Sequence, residues 1–250
     1  MLNFPILLFV PTALILWLAS YYGTVLRQRQ PLADPERDDF GLMQGATLTL
    51  LALLIGFTFS MATVRYDLRK TYEEAEANAI GTEYVRAGLL PPTNVARIQA
   101  QLKKYTHLRI EFYRTRDQEE LDKINADTAT LQNEMWSAVQ AQAQAQPTPV
   151  MARVVSGMND VLNSQGYTQA AWWNRIPIAA WVFLFATAIG CNVLVGYGAR
   201  VAQAKTGLLF VMPVLVAISF LLIADIDSPR GGLIHVAPQN LAALDRSLPN

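Results

Sequence analysis

The chain has 250 residues, 52% hydrophobic and only 16% charged, against about 25% charged in an ordinary soluble domain. Twenty basic residues balance twenty acidic ones. That excludes the basic excess a nucleic-acid binder needs and the unbalanced polarity of a disordered chain. The single cysteine, Cys191, excludes an intramolecular disulfide or thiolate cluster, and two histidines, His107 and His235, argue against a His-rich metal centre.

The hydrophobicity is concentrated in four uncharged blocks, at 2–22, 41–64, 176–199 and 206–224. Each is long enough, at about 1.5 Å per residue, to cross a hydrocarbon core about 30 Å thick. The first block ends in Leu18-Ala19-Ser20, as a signal peptide can. However, no Lys or Arg precedes it, Pro5 and Pro11 interrupt it, and it is long for a signal core, so it reads as a retained helix. The second block continues into a helix over 66–90, which Pro91-Pro92 stops; Thr93 or Asn94 is expected to cap the next helix. Leu102, Tyr105, Leu108, Ile110, Phe112 and Tyr113 form a stripe of approximate helical period, continued by Leu121, Ile124, Leu131, Met135 and Val139. Pro147-Thr148-Pro149 breaks the chain, and a short helix over 150–163 is expected to lead to Trp172-Trp173, placed as an interfacial aromatic belt.

The expected fold is therefore all-α: an integral membrane protein with four transmembrane helices and an extramembrane helical domain between helices two and three. The divisions are 1–64, a first hairpin; 65–175, the helical domain; 176–226, a second hairpin; and 227–250, a tail. Four crossings put the N-terminus, the domain and the tail on one side. Charge does not choose the side: Arg65, Arg69, Lys70, Arg175, Arg230 and Arg246 nearly balance Arg27, Arg29, Arg37, Arg200 and Lys205.

Catalytic groupings are missing: no nucleophile elbow, no P-loop and no dinucleotide fingerprint. The membrane blocks contain no histidine to ligate a haem and none of the mid-membrane acids that coupled transporters use. No cofactor and no enzymatic activity are expected. Glu73-Glu74 and Glu119-Glu120 read as solvated helix faces. Asp225 and Asp227 read as a membrane-exit cap, with a cation-attracting ring as the sharper alternative. Thr47, Thr49, Thr58, Ser60 and Thr63, with Gly45 and Gly56, permit close helix packing or line a narrow pore.

Leu53-Leu54-Ile55-Gly56-Phe57, followed by Arg65-Tyr66, resembles the second transmembrane helix of bestrophins, where an Arg-aromatic pair begins nine residues after the glycine. Ser228-Pro229-Arg230-Gly231 and 241–244 resemble the bestrophin Asn-Pro-Phe-Gly element and the segment after it. Gly56-Phe57-Thr58-Phe59-Ser60, the run from Glu74 to Thr82, and Ser228-Pro229-Arg230-Gly231-Gly232 are similar to a bacterial group of bestrophin-like membrane proteins. The resemblance implies a homo-oligomer, a pentamer, around one pore that passes inorganic ions. It places the chain in a bacterial inner membrane, with the helical domain and both termini cytoplasmic. It implies that Thr49, Leu53 and Phe57 line the pore; their i, i+4, i+8 spacing puts them on one helix face. Arg65, Asp225 and Asp227 are then vestibule or helix-exit residues. The alternative for the face is packing inside the same subunit. Arg230 replaces the family Phe, and no acid follows Gly231 until Asp245, so no calcium-sensing carboxylate run is carried over. Other readings of the chain are a non-conducting sensor or scaffold and, with less support, a small-molecule transporter. The 74–82 segment receives no role from the sequence.

Overall fold

The computed structural model describes residues 6–31, 33, 35–199 and 207–249. Among them all regular structure is helical. The chain divides into two compact units: residues 1–65 with 175–235, and residues 66–174 with 236–250.

The first unit contains α1 (Ile6–Arg29), the first part of α2 (Glu36–Ala87), α6 (Ile178–Gly198) and α7 (Val211–Asp227), the last entered through the 3-10 turn Leu208–Phe210. All four helices carry stretches long and apolar enough to cross a membrane. The start of α1 at residue 2, the start of the fourth span at Thr206, and the charges Arg200 and Lys205 lie outside the described residues. Helix α2 begins ahead of its apolar block because Glu36, Asp38 and Asp39 occupy its first turn, where carboxylates meet the positive end of the helix dipole.

Helix α1 packs on α6 and α7. The α1–α6 approach depends on glycine. A Cβ on Gly196 would overlap the Ser20 carbonyl, and one on Gly23 would overlap the Val193 carbonyl. Beside that crossing Ser20 Oγ donates to Asn192 Oδ1 (3.1 Å), and Asn192 Nδ2 donates to the Ala188 carbonyl (2.8 Å). The only mid-block amide of the third span is thus bonded within the bundle, as polar groups away from water must be. Leu16, Leu51, Leu184, Ala188, Val216 and Phe220 form the core of this unit.

The second unit contains the remainder of α2 with α3 (Pro92–Arg114), α4 (Gln118–Ala145), α5 (Pro149–Trp173) and α8 (Gln239–Ser247). The α3 stripe meets α4, and α4 meets α5. Tyr105, Phe112, Leu131, Met135 and Val139 are buried in the resulting core. Asp117 caps α4 by accepting from the Glu120 amide, and Thr148 caps α5 by accepting from Met151.

Three sequence expectations are corrected by the helices. Helix α3 starts at Pro92, with Pro91 in the N-cap position and no side-chain cap, because proline is suited to a first turn that needs no N–H. Asn94 therefore lies inside the helix and bonds Gln142 instead. Helix α5 continues through Gly166 to Trp173 rather than stopping at residue 163. Trp172 is buried and packs edge-on against Phe112 and Tyr113, while Trp173 is exposed; only the second is free to meet an interface. The tail is also divided between the units: residues 227–235 belong to the first and 236–250 to the second.

Candidate functional site

The candidate site is one face of α2 in the first unit. Leu51, Thr58 and Ala62 point into the bundle and are buried. The opposite face carries Thr49, Leu53 and Phe57, all exposed, Leu53 at 53% and Phe57 at 66%. The three residues therefore share a face that no other described part of the unit covers. Packing of this face inside the same subunit, the alternative left open by the sequence, is absent among the described residues.

The hydroxyls along α2 turn back on the helix. Thr47, Thr49, Thr58 and Thr63 each donate to the carbonyl four residues earlier, at 2.7 to 3.1 Å. This back-bonding leaves Thr49 with only lone pairs and a methyl group to present outward. The exposed face between Thr49 and Phe57 thus holds no charge and no free hydroxyl proton. Gly56 lies on the exposed side with open space where a Cβ would project.

Arg65 is half-buried at the end of this stretch, and its Nε and Nη1 are screened from solvent without a hydrogen-bond partner. Asp225 and Asp227 are buried at the end of α7. Asp225 accepts from the Leu233 and Ile234 amides (both 2.8 Å), which folds the chain sharply after Ser228. Gly232 is needed in that turn, since a Cβ there would lie 2.6 Å from the Asp225 carbonyl. Asp227 accepts from the Ile176 amide with both oxygens, at 3.2 Å, just before α6 begins. Both carboxylates, in the last turn of α7, accept from backbone N–H groups: Asp225 from the following loop and Asp227 from the residue two positions before α6.

The second unit holds a polar set that sequence reasoning missed, all on one side of α2. Arg69 donates to the Ala171 and Asn174 carbonyls at the end of α5, where a cation meets the negative end of the helix dipole. Glu73 accepts from the Leu241 amide (2.9 Å) and Asn240 Nδ2 (2.6 Å), capping α8. Glu76 accepts from Arg109 Nε (2.5 Å) and from Thr168 Oγ1 (3.1 Å). The Arg109 guanidinium also lies 4.3 Å from the Phe112 ring centroid, where the π face favours a cation. Burial opposes the charge of Arg109, but its carboxylate partner holds the guanidinium pKa above the ordinary value. The hydroxyl pKa values of Tyr105 and Tyr113 are raised, first by burial and then by the Glu76 charge.

These contacts correct the reading of Glu73-Glu74 as one solvated face. Glu74 is exposed, but Glu73 is 1% exposed. They also explain the 74–82 segment. Glu76, Ala77 and Ile80 face inward, and Gly81 lets Leu244 of α8 approach within 3.1 Å of where a Cβ would stand. A signal was present in the sequence: small residues and acids alternate on a helix face with no adjacent basic partner at i+4. The partners lie far along the chain.

Residues 6–241 match the model of the bestrophin-like domain. The chain belongs to the bestrophin-like family. Its fold is similar to a bacterial bestrophin homologue from Klebsiella pneumoniae, with a TM-score of 0.66 over 96% of each chain at 14% identity. Two point-mutated forms of that homologue match with TM-scores of 0.65 and 0.64, at 14% and 15% identity, each over 96% of this chain and 97% of the other. At such identity the likeness is one of fold. No curated protein matches this bestrophin-like chain by sequence.

Proposed function

We propose that the chain is one subunit of a homo-oligomeric, passive ion channel whose pore is lined by α2 at Thr49, Leu53 and Phe57. The observation that carries this reading is the uncovered, chargeless face of α2 in a bestrophin-like subunit. One face of α2 is packed in the bundle and the opposite apolar face is not; a ring of identical helices brings that second face around a common axis. In that ring Leu53 and Phe57 form a dry constriction that ions cross only when it wets, and Thr49 forms a weakly polar mouth. Asp225, Asp227 and Arg65 act at the helix exits, the two acids as backbone anchors. The helical unit and both termini are assigned to the cytoplasm of a bacterial cell, with the four spans in its inner membrane. No enzymatic step and no cofactor enter this reading.

The test is conductance of the purified protein in planar bilayers. Wild-type protein is expected to show unitary currents. Phe57→Ala and Leu53→Ala widen the constriction and raise unitary conductance or open probability. Silence from a verified wild-type oligomer, or wild-type currents from both variants, would count against the reading. Silence together with a dimeric state supports a non-conducting sensor. That second reading fits a helix, α2, that carries both the apolar block and part of the helical unit.

A further inference from the structure

Among the described residues, the second unit contains one buried carboxylate that the contacts above do not use. Glu83 lies two turns beyond Glu76 on α2 and is 0% exposed. Glu73 and Glu76 each accept two hydrogen bonds, whereas both Glu83 oxygens are shut off from solvent with no hydrogen-bond partner. Facing them is Gly157 of α5. A Cβ at Gly157 would collide with Glu83 Oε2 and stand 2.5 Å from Arg86 Nη1. Only glycine lets α5 close on this carboxyl.

An ionised carboxylate without partners in such a place is far costlier than a neutral acid. The charged groups that face it are Arg86 on its own helix, which favours ionisation, and Asp160 on α5, which opposes it. We propose that Glu83 is a proton-binding site at the α2–α5 contact: the protonated carboxyl seats against Gly157, and its ionisation loosens that contact. The inference does not depend on conduction, though Glu83 sits on the helix that carries the proposed pore face.

Burial is the largest influence on the group and raises its pKa from 4.5 to about 8, with Arg86 pulling down and Asp160 pushing up. The sign follows from linkage. The folded state holds the proton more tightly than the unfolded chain. The stabilisation is therefore complete below about pH 4.5, shrinks as pH rises, and is gone once pH passes about 8.

The experiment uses the full-length protein in detergent. Infrared difference spectra across pH are expected to contain a protonated-carboxyl carbonyl band with a midpoint near pH 8, absent from Glu83→Gln. Asp160→Asn, a change at an exposed position, moves the midpoint down and keeps the test valid if Glu83→Gln folds poorly. Amide exchange, corrected for its intrinsic pH dependence, gives the consequence. Protection around Gly157 in wild type falls by about tenfold or more between about pH 6 and about pH 9, while Glu83→Gln stays flat. A carboxyl already ionised at about pH 6 overturns the proposal. So does a band that survives Glu83→Gln, or an exchange profile identical in the two proteins.

Discussion

Two of the buried charges in the second unit form a pair. Glu76 and Arg109 are both fully buried and bonded to each other, so each is the other's compensation. Replacing Arg109 by Met strands the carboxylate, and the loss is expected to be about 3–5 kcal/mol. Replacing both, by Glu76→Leu with Arg109→Met, is expected to recover much of that loss. Thermal unfolding of the full-length protein in detergent checks the sign, because a purely additive pair would lose more in the double variant. Cys191 offers a second residue-scale test. It is 0% exposed within the first unit, so a maleimide is expected to leave it unlabelled until the protein is denatured. Rapid labelling of native protein would contradict the packing of α6.

At the scale of elements, the membrane bundle depends on how closely α1 approaches α6. Gly196 faces the Ser20 carbonyl with no room for a methyl group, whereas Gly190, on the same helix, faces open space. Gly196→Ala is expected to cost about 1–3 kcal/mol through overpacking, and Gly190→Ala to cost nothing measurable. The melting temperatures of the two variants decide this: equal behaviour would mean that the crossing is looser than its geometry implies. Helix α2 is the other decisive element. Its 52 residues extend about 78 Å at 1.5 Å per residue. It carries the exposed apolar face in one unit and the Arg69, Glu73, Glu76 and Glu83 contacts in the other.

For the whole molecule, the exposed apolar residues have two destinations. Leu14, Leu18, Val182, Phe183, Leu215 and Ile218 lie on α1, α6 and α7, and all are exposed; they suit contact with lipid tails. Leu53 and Phe57 belong to a different helix, and in the proposed ring of subunits they face the pore. Native mass spectrometry is expected to find five chains. A monomer that is stable in mild detergent would leave the α2 face to lipid and remove the pore from the proposal.

The sequence alone determined the helical class, the four spans and the family. These rest on local quantities: uncharged runs of sufficient length, apolar residues at helical spacing, and short motifs such as Gly56-Phe57. It also determined that Thr49, Leu53 and Phe57 share a face, because helix geometry is local. Tertiary structure decided which groups are inside. Nothing near Glu73 in the chain distinguishes it from Glu74. Its burial depends on Leu241, 168 residues away, and that of Glu76 on Thr168, 92 residues away. Trp172 and Trp173 are likewise separated by the arrival of Phe112 and Tyr113. The 52% hydrophobic fraction therefore announced a membrane protein. It could not reveal that four of its charged side chains on α2 are buried, because a charge is hidden only where a distant part of the chain closes over it.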